Sequence, residues 1–178
     1  MRKFPRRKES QGKEKLNEIE KARLAGVIWV FGSIDVEYRK ITQDYRPRIA
    51  ISMPNPLPFQ YKEDAGGIVY AGKRRGHFIL MIRKLDLVEK RLKEIRPFIS
   101  GEEGNQIDLS LEILKTRRSN KKGKEQKLKD LYKEFKSSQK RLENWIKDFR
   151  TKCENMEVPQ ISRNLQMIWN KAYIWEDC

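Results

Sequence analysis

Cysteine and histidine are scarce in this 178-residue sequence, which contains two cysteines and one histidine. Cys153 and Cys178 are 25 residues apart, with no CxxC spacing. This pattern excludes a zinc ribbon and a disulfide framework, and it indicates an intracellular, reducing compartment, either the cytoplasm or an organelle matrix. Because His77 has no Cys or His neighbour along the chain, we predict no metal site there.

Long apolar runs are also missing. No stretch approaches the roughly 18 residues that a membrane-spanning helix requires, so we expect no membrane partner. Residues 1–12 are basic but lack the apolar core of a secretory signal. They are interpreted as a basic arm that contacts nucleic acid or, alternatively, as part of an organellar targeting segment.

Positive charge, in contrast, is abundant. The chain has 40 Lys and Arg against 25 Asp and Glu, which gives a net charge of +15 and a pI of about 9.9. Such a surplus is typical of proteins that bind a polyanion, and we predict a nucleic-acid partner, either double-stranded DNA or structured RNA. The alternative is a basic component of a large assembly such as a ribosome.

The periodicity of apolar residues predicts an α+β domain over residues 13–118. Helical spacing covers 13–30, with Gly32 ending the helix, and it returns at 85–95 and 107–114. Alternation predicts four strands, at 33–41, 48–53, 68–71 and 77–82, with Pro47 introducing the second. After Pro54, Pro56 and Pro58, a turn or a short helix is predicted up to about Asp64. The predicted order is αββαββα around a four-stranded antiparallel sheet.

Residues 119–178 are predicted to form a C-terminal helical extension. Leu128, Phe135, Leu142 and Phe149 recur every seven residues within a charged helix at 121–150. Such a stripe forms either a coiled coil or, as we favour, a face that packs back on its own domain. An apolar segment at 161–174 follows Pro159.

The most informative segment is 24–34. It begins with Leu24-Ala25-Gly26 and closes with Gly32-Ser33 ahead of a predicted strand. This frame resembles the signature helix of the LAGLIDADG homing-endonuclease family. The resemblance spans roughly residues 13–118, and Gly66-Gly67 and Arg96-Pro97-Phe98 strengthen it. The family's two acidic positions are held here by Trp29 and Phe31.

The resemblance implies a metal-dependent DNA endonuclease whose chemistry is missing. In the family, two signature helices pack together and each delivers an acid to Mg²⁺, whereas an aromatic ring offers no oxygen ligand. Asp35 lies about 13 Å along the strand from Phe31, too far to replace it. Glu102 aligns with an expected basic loop residue, within a segment 100–105 predicted as a loop, and Met53 or Asn55 replaces a polar strand residue. We therefore predict no catalytic residue, no metal site and no cofactor, with Mg²⁺ required only if the endonuclease alternative holds.

The binding features implied by the family are better preserved. Its αββαββα unit forms half of a saddle whose open sheet face lies in the DNA major groove. Alternation assigns Ile34, Val36, Tyr38, Ile49, Ile51, Phe78 and Leu80 to the helix side, and Asp35, Glu37 and Ile79 to the open side. The predicted nucleic-acid contacts on the open side and its hairpin are Arg39, Arg48, Ser52, Tyr70, Lys73, Arg74, Arg75 and His77.

A single signature helix implies a homodimer through residues 13–30, with Ala25, Gly26, Trp29 and Val30 at the interface. The bulk of Trp29, Val30 and Phe31 leaves two alternatives: an interface rebuilt around aromatics, or no dimer through this helix. In either case we expect these three side chains to be buried, in a subunit interface or beneath the C-terminal helix.

These observations predict a nucleic-acid-binding protein of the LAGLIDADG fold without nuclease activity, acting on DNA or, like the maturases of the family, in intron RNA splicing. Two alternatives stay open. One is an active homing endonuclease that makes metal-dependent double-strand cuts, and the other is a structural component of a ribonucleoprotein.

Overall fold

A four-stranded antiparallel sheet and five α-helices make up the part of the chain that the computed structural model describes, residues 10–54, 57–72, 76–120 and 122–154. The elements are α1 (Glu18–Phe31), β1 (Gly32–Arg39), β2 (Asp44–Pro54), α2 (Leu57–Ala65), β3 (Ile68–Ala71), β4 (His77–Ile82), α3 (Leu85–Ile95), a 3₁₀ turn (Arg96–Phe98), α4 (Gly101–Arg118) and α5 (Lys124–Glu154). The predicted α+β class and αββαββα order are confirmed. No described helix is long and apolar enough to cross a membrane.

The sheet has the strand order β1-β2-β4-β3, and its two faces differ sharply. Residues directed towards the helices are buried, among them Ile34, Val36, Ile49, Ile51 and Leu80. Tyr38 belongs to the same face but is 38% exposed, because it lies near the end of β1 against Tyr45 and Tyr132, with ring centroids 4.8 and 6.3 Å away. The alternation therefore predicted the two faces correctly.

Helix α1 begins later than the predicted residue 13. Asn17 caps it: the Asn17 side chain accepts a hydrogen bond from the Glu20 amide, and the Glu20 carboxylate accepts one from the Asn17 amide, both at 2.9 Å. This capping box satisfies amides that would otherwise lack partners. Gly32 ends the helix as predicted, and a Cβ there would lie 2.8 Å from the Ile28 carbonyl oxygen.

Strand β2 begins at Asp44, four residues before the predicted start. Pro47 lies inside the strand, opposite Val36. Pairing of β2 with β4 begins only at Ile49, so at Pro47 one edge of the strand is open. A proline without an N–H is tolerated at such an edge. The longer strand adds Arg46 to the open face.

The predicted loop at 100–105 is wrong, because α4 already begins at Gly101. Glu102 and Glu103 occupy its first turn, where carboxylates are favoured by the helix dipole. Glu102 accepts hydrogen bonds from Arg141 Nε at 2.9 Å and from Ser138 Oγ at 2.7 Å, both on α5. Glu102 thus joins the start of α4 to α5.

The N-terminal segment is attached to the domain by a buried arginine. Arg91, fully buried, donates to the backbone carbonyls of Lys13, Asp64 and Ala65 and pairs with Glu94 at 2.5 Å. Ser10 exchanges two backbone hydrogen bonds with Gly67, at 2.8 and 3.0 Å. Residues 10–13 therefore lie against the turn between α2 and β3. The domain boundaries at 12 and 118 stay predictions, and residues 1–9 lie outside the described residues.

Helix α5 packs back on its own chain. Leu128, Phe135, Leu142 and Ile146 are buried, and α5 lies against α4. The favoured interpretation of the seven-residue stripe is confirmed for these positions. The side chain of Phe149 and the predicted apolar segment 161–174 lie outside the described residues.

Candidate nucleic-acid interface

The open face of the sheet carries opposite charges in register. On the β1–β2 side, Asp35 lies opposite Arg48, Glu37 opposite Arg46, and Arg39 opposite Asp44. Strand twist and pairing thus bring three carboxylates and three guanidinium groups onto one surface. We call this the paired half.

Arg48 is the most firmly held of the predicted contact residues. Its Nε and Nη2 donate to Asp35 Oδ2 at 3.1 and 2.7 Å, and Lys136 of α5 reaches Asp35 Oδ1 at 3.2 Å. Partial burial disfavours the charged form, but Lys136 and Arg48 outweigh it and hold the pKa of Asp35 below its ordinary value. Asp35 is therefore a carboxylate that positions Arg48, and it is not available as a substitute metal ligand.

A second ion-pair cluster closes the end of the paired half. Asp44 accepts from Arg117 of α4 at 2.6 and 2.7 Å and from Arg46 Nε at 2.8 Å. Burial opposes ionisation, but the two guanidinium groups lower the pKa of Asp44. Arg39 lies 3.4 Å from Glu37 in a looser, more exposed pair.

The other side of the open face, formed by β3, β4 and Ser52 of β2, contains no acidic residue in its described part. We call it the acid-free half. Ser52 lies opposite Ile79, which in turn lies opposite Tyr70. The Arg83 guanidinium carbon is 5.6 Å from the centroid of the Tyr70 ring. His77 is half-buried opposite Pro54. The hairpin Lys73, Arg74 and Arg75 lies outside the described residues.

Sequence reasoning missed three basic residues of this surface. Arg46 was not predicted because the sequence pattern places the start of β2 at Arg48, after Pro47, although Arg46 precedes Arg48 by two residues and shares its face. Arg83 follows β4 and its stacking on Tyr70 depends on the β3–β4 register. Lys136 is 101 residues from Asp35 along the chain, so no local signal could reveal its position.

The C-terminal end of α1 is apolar, and the residues there do not fit Mg²⁺. Val30 is buried and Phe31 packs half-buried against the core, whereas Trp29 is 44% exposed. Burial of Trp29 by its own chain is therefore only partial, and its burial in a subunit interface stays a prediction; the side chain lines a groove of about 490 Å³ together with Leu142, Trp145 and Ile146. Within the described residues, no three His, Cys, Asp or Glu side chains come together as a metal site.

Glu102 and Met53, which the family resemblance aligns with functional positions, have structural roles here. Glu102 is tied to α5, and hydrogen bonds from Arg141 and Ser138 lower its pKa. Met53 is fully buried on the helix side of the sheet, so it does not reach the open face. Asn55 lies outside the described residues.

The predicted interface residues divide into two pairs. Ala25 and Val30 are buried inside their own chain, so their side chains present little surface to a second copy, and their assignment as contacts stays a prediction. Gly26 is exposed on α1 in line with Ile19, which is 73% exposed, whereas Trp29, also exposed, lies about 80° around the helix, beside the groove next to α5. The dimer itself stays a prediction.

Comparison with known proteins finds similar solved structures but no matching family model or curated sequence. Two solved structures of the homing endonuclease I-CvuI, one with the I-CreI target and one with its own target, are 13% identical, cover 88% of this chain and 96% of theirs, and give TM-scores of 0.57 and 0.58. The LAGLIDADG meganuclease I-AabMI bound to uncleaved DNA is 16% identical over 66% of this chain and 44% of its own, with a TM-score of 0.54. The sheet and helices described above therefore have the LAGLIDADG homing-endonuclease fold.

Proposed function

We propose that this protein binds double-stranded DNA on the open face of its sheet and does not cut it. The observation that carries the proposal is the open polar face of the sheet: arginines paired with carboxylates stand beside serine, tyrosine and histidine, while the opposite side is covered by helices. The net charge of +15 supports a polyanionic partner. The similar solved structures I-CvuI and I-AabMI contain DNA, which supports the same class of partner here.

The paired half is suited to reading bases. An arginine donates two hydrogen bonds to O6 and N7 of guanine when its guanidinium plane is correctly oriented. Asp35 fixes that plane for Arg48 through two hydrogen bonds. Preorganisation of this kind lowers the entropy lost on binding. The acid-free half, with Tyr70 and His77, is suited to contacts with the phosphate backbone.

The absence of cutting follows from the chemistry at the end of α1. Phe31 and Trp29 supply no oxygen ligand where the resemblance predicts two acids, and Asp35 is engaged by Arg48 and Lys136. We expect no cleavage of plasmid or genomic DNA with Mg²⁺ or Mn²⁺. Site-specific, EDTA-sensitive cutting would instead restore the endonuclease alternative.

A carboxylate placed in the centre of the open face tests the binding site. Ser52→Asp should weaken binding of a labelled DNA duplex by at least about tenfold in fluorescence anisotropy, because a buried like charge beside phosphates costs several kcal/mol. Asn120→Asp, in the exposed α4–α5 connection, makes the same change of charge away from the face and serves as the control. Equal affinities of the two variants would place DNA elsewhere. Preferential binding of structured RNA by the parent protein would favour a splicing or ribonucleoprotein role.

The exposed side of α1 supports a homodimer through that helix. A Cβ added to Gly26 would meet no atom of this chain within 4 Å, and Ile19 and Trp29 flank it. Light scattering should give a dimeric mass for the parent protein and a monomeric mass for Gly26→Glu, which improves helix propensity while placing a charge in the interface. A monomeric parent protein at micromolar concentration would contradict this part of the proposal.

A further inference from the structure

Helix α5 carries a row of lysines along one side. Its members are Lys129, Lys133, Lys136, Lys140 and Lys147, and all five are exposed. At 3.6 residues per turn their spacing places them within an arc of about 60°, and the row is about 27 Å long. We call it the lysine row. Glu125 and Glu143 border it on one edge.

The lysine row faces the same side of the molecule as the open sheet face. Lys136 reaches Asp35 Oδ1 at 3.2 Å, and Asp35 stands on the open face. Gln139 Nε2 donates to the Ile34 carbonyl at 3.3 Å and holds α5 against the edge strand β1. The opposite side of α5, with Phe135 and Leu142, is buried. The row therefore extends the open face beyond its β1 edge.

Four of the five lysines of the row have no ion-pair partner within the described residues. Lys129, Lys133, Lys140 and Lys147 form no ion pair within the described residues, whereas Lys127, on the other side of α5, pairs with Glu112 at 2.6 Å. The adjoining paired half contributes three carboxylates and three guanidinium groups, so its charges largely cancel. The uncompensated positive charge beside this half is thus concentrated on α5.

We propose that the lysine row is a second contact surface for the DNA duplex bound on the open face, and that its lysines contact the phosphate backbone. The proposal rests on the proposed function. A row of about 27 Å spans roughly eight base pairs at 3.4 Å per step. Lysine binds phosphate as a point charge and carries no base information, so the row should add affinity that is independent of sequence.

The test is a fourfold Lys→Gln variant at 129, 133, 140 and 147 in the full-length protein. Lys136 is kept because it pairs with Asp35. We expect affinity for a DNA duplex to fall by at least about tenfold and the slope of log K against log salt to decrease by about 0.9 for each lost contact. A charge-matched control changes Lys90, Lys93, Lys115 and Lys122 to glutamine; these residues lie on α3, α4 and the α4–α5 connection. The control should leave the slope nearly unchanged.

Each outcome is decisive. Fourfold Lys→Arg at the same row positions keeps the charge and should retain the parent affinity and slope, whatever glutamine does to the helix. An equal loss in the row and control variants would overturn the proposal, because it would show a response to overall charge alone. Unchanged binding by the row variant would overturn the proposal and leave the proposed function standing. A parent protein that binds no duplex would overturn both.

Discussion

The two halves of the open sheet face hold their arginine side chains by different kinds of contact. In the paired half, each guanidinium group has a carboxylate opposite it, and both Arg48 and Arg117 are held by carboxylates through two hydrogen bonds. In the acid-free half, Arg83 stacks on Tyr70 and no described residue of the face is acidic. In the paired half, the carboxylates that orient the guanidinium groups also cancel much of their charge.

This difference implies that the two halves contribute differently to DNA binding. Oriented, charge-compensated arginines discriminate between bases but attract a polyanion weakly. Uncompensated cations attract it strongly and without sequence preference. Substitutions that remove one property while keeping the other should separate the two halves.

The largest effect is expected from the three basic residues that lie between β3 and β4 in the sequence. Changing Lys73, Arg74 and Arg75 together to glutamine should weaken DNA affinity by roughly tenfold or more and lower the salt slope by up to about one unit per lost contact. Anisotropy titrations at several salt concentrations measure both. An unchanged slope would mean that the hairpin is a solvated turn and that the two halves do not differ in this way.

A stability effect should distinguish the paired half. Asp44→Asn removes the negative charge shared by Arg46 and Arg117 and replaces one acceptor oxygen by an NH₂ donor, at hydrogen bonds that are partly shielded from water. We expect a loss of about 1–2 kcal/mol in the free energy of unfolding, measured by urea denaturation. Ser52→Ala, on the acid-free side, is the comparison and should cost less than about 0.5 kcal/mol.

Lowering the pH should destabilise the paired half before it destabilises β3. The pKa values of Asp35 and Asp44 are lowered in the folded protein. A lowered pKa stabilises the fold above the unfolded value of about 4, and this contribution is lost as pH falls through the folded pKa. Hydrogen exchange, corrected for intrinsic rates, should show the amides of residues 44–48 losing protection below about pH 4 before those of β3. Simultaneous loss in both regions would remove the distinction.

A smaller effect should come from Asp35→Asn. Loss of one negative charge should raise DNA affinity about threefold at low salt, because Arg48 and Lys136 already compensate most of the charge of Asp35 and leave a repulsion of under about 1 kcal/mol towards a phosphate. Selectivity for a preferred site should fall, since Arg48 loses its carboxylate partner. Glu37→Gln removes a charge from the same strand and face but from a looser pair, so it should raise affinity without the loss of selectivity.

Much of this architecture could be predicted because it depends on local chemistry. Ile34 and Val36 alternate with Asp35 and Glu37, and burial of the apolar pair dictates which face is open. The end of α1 at Gly32 was likewise predictable, since a side chain there would collide with Ile28. The start of α1 was mispredicted, because the capping box of Asn17 and Glu20 outweighs the apolar spacing of the preceding residues.

Fewer residues of the candidate site could be predicted from the sequence. Arg48 and Tyr70 were identified as open-face residues, but Arg46, Arg83 and Lys136 were not. Their positions depend on strand register or on the placement of α5. Trp29 and Phe31 could be recognised as unable to bind Mg²⁺, yet their different exposures depend on how α4 and α5 pack around the end of α1.

Periodicity, glycine placement and net charge were therefore sufficient to predict the strands, the open face and a polyanionic partner, because each depends on residues close together in the chain or on their simple sum. The lost acidic positions were implied only by the resemblance of residues 24–34 to the LAGLIDADG signature helix. The ion-pair partners of Asp35 and Glu102 could not be predicted and are known only from the folded structure. Asp35 meets Arg48 across a strand pair and Lys136 across 101 residues, and Glu102 meets Arg141 on another helix. An ion pair depends on distances of a few ångströms between remote residues, and only the packed sheet and helices set those distances.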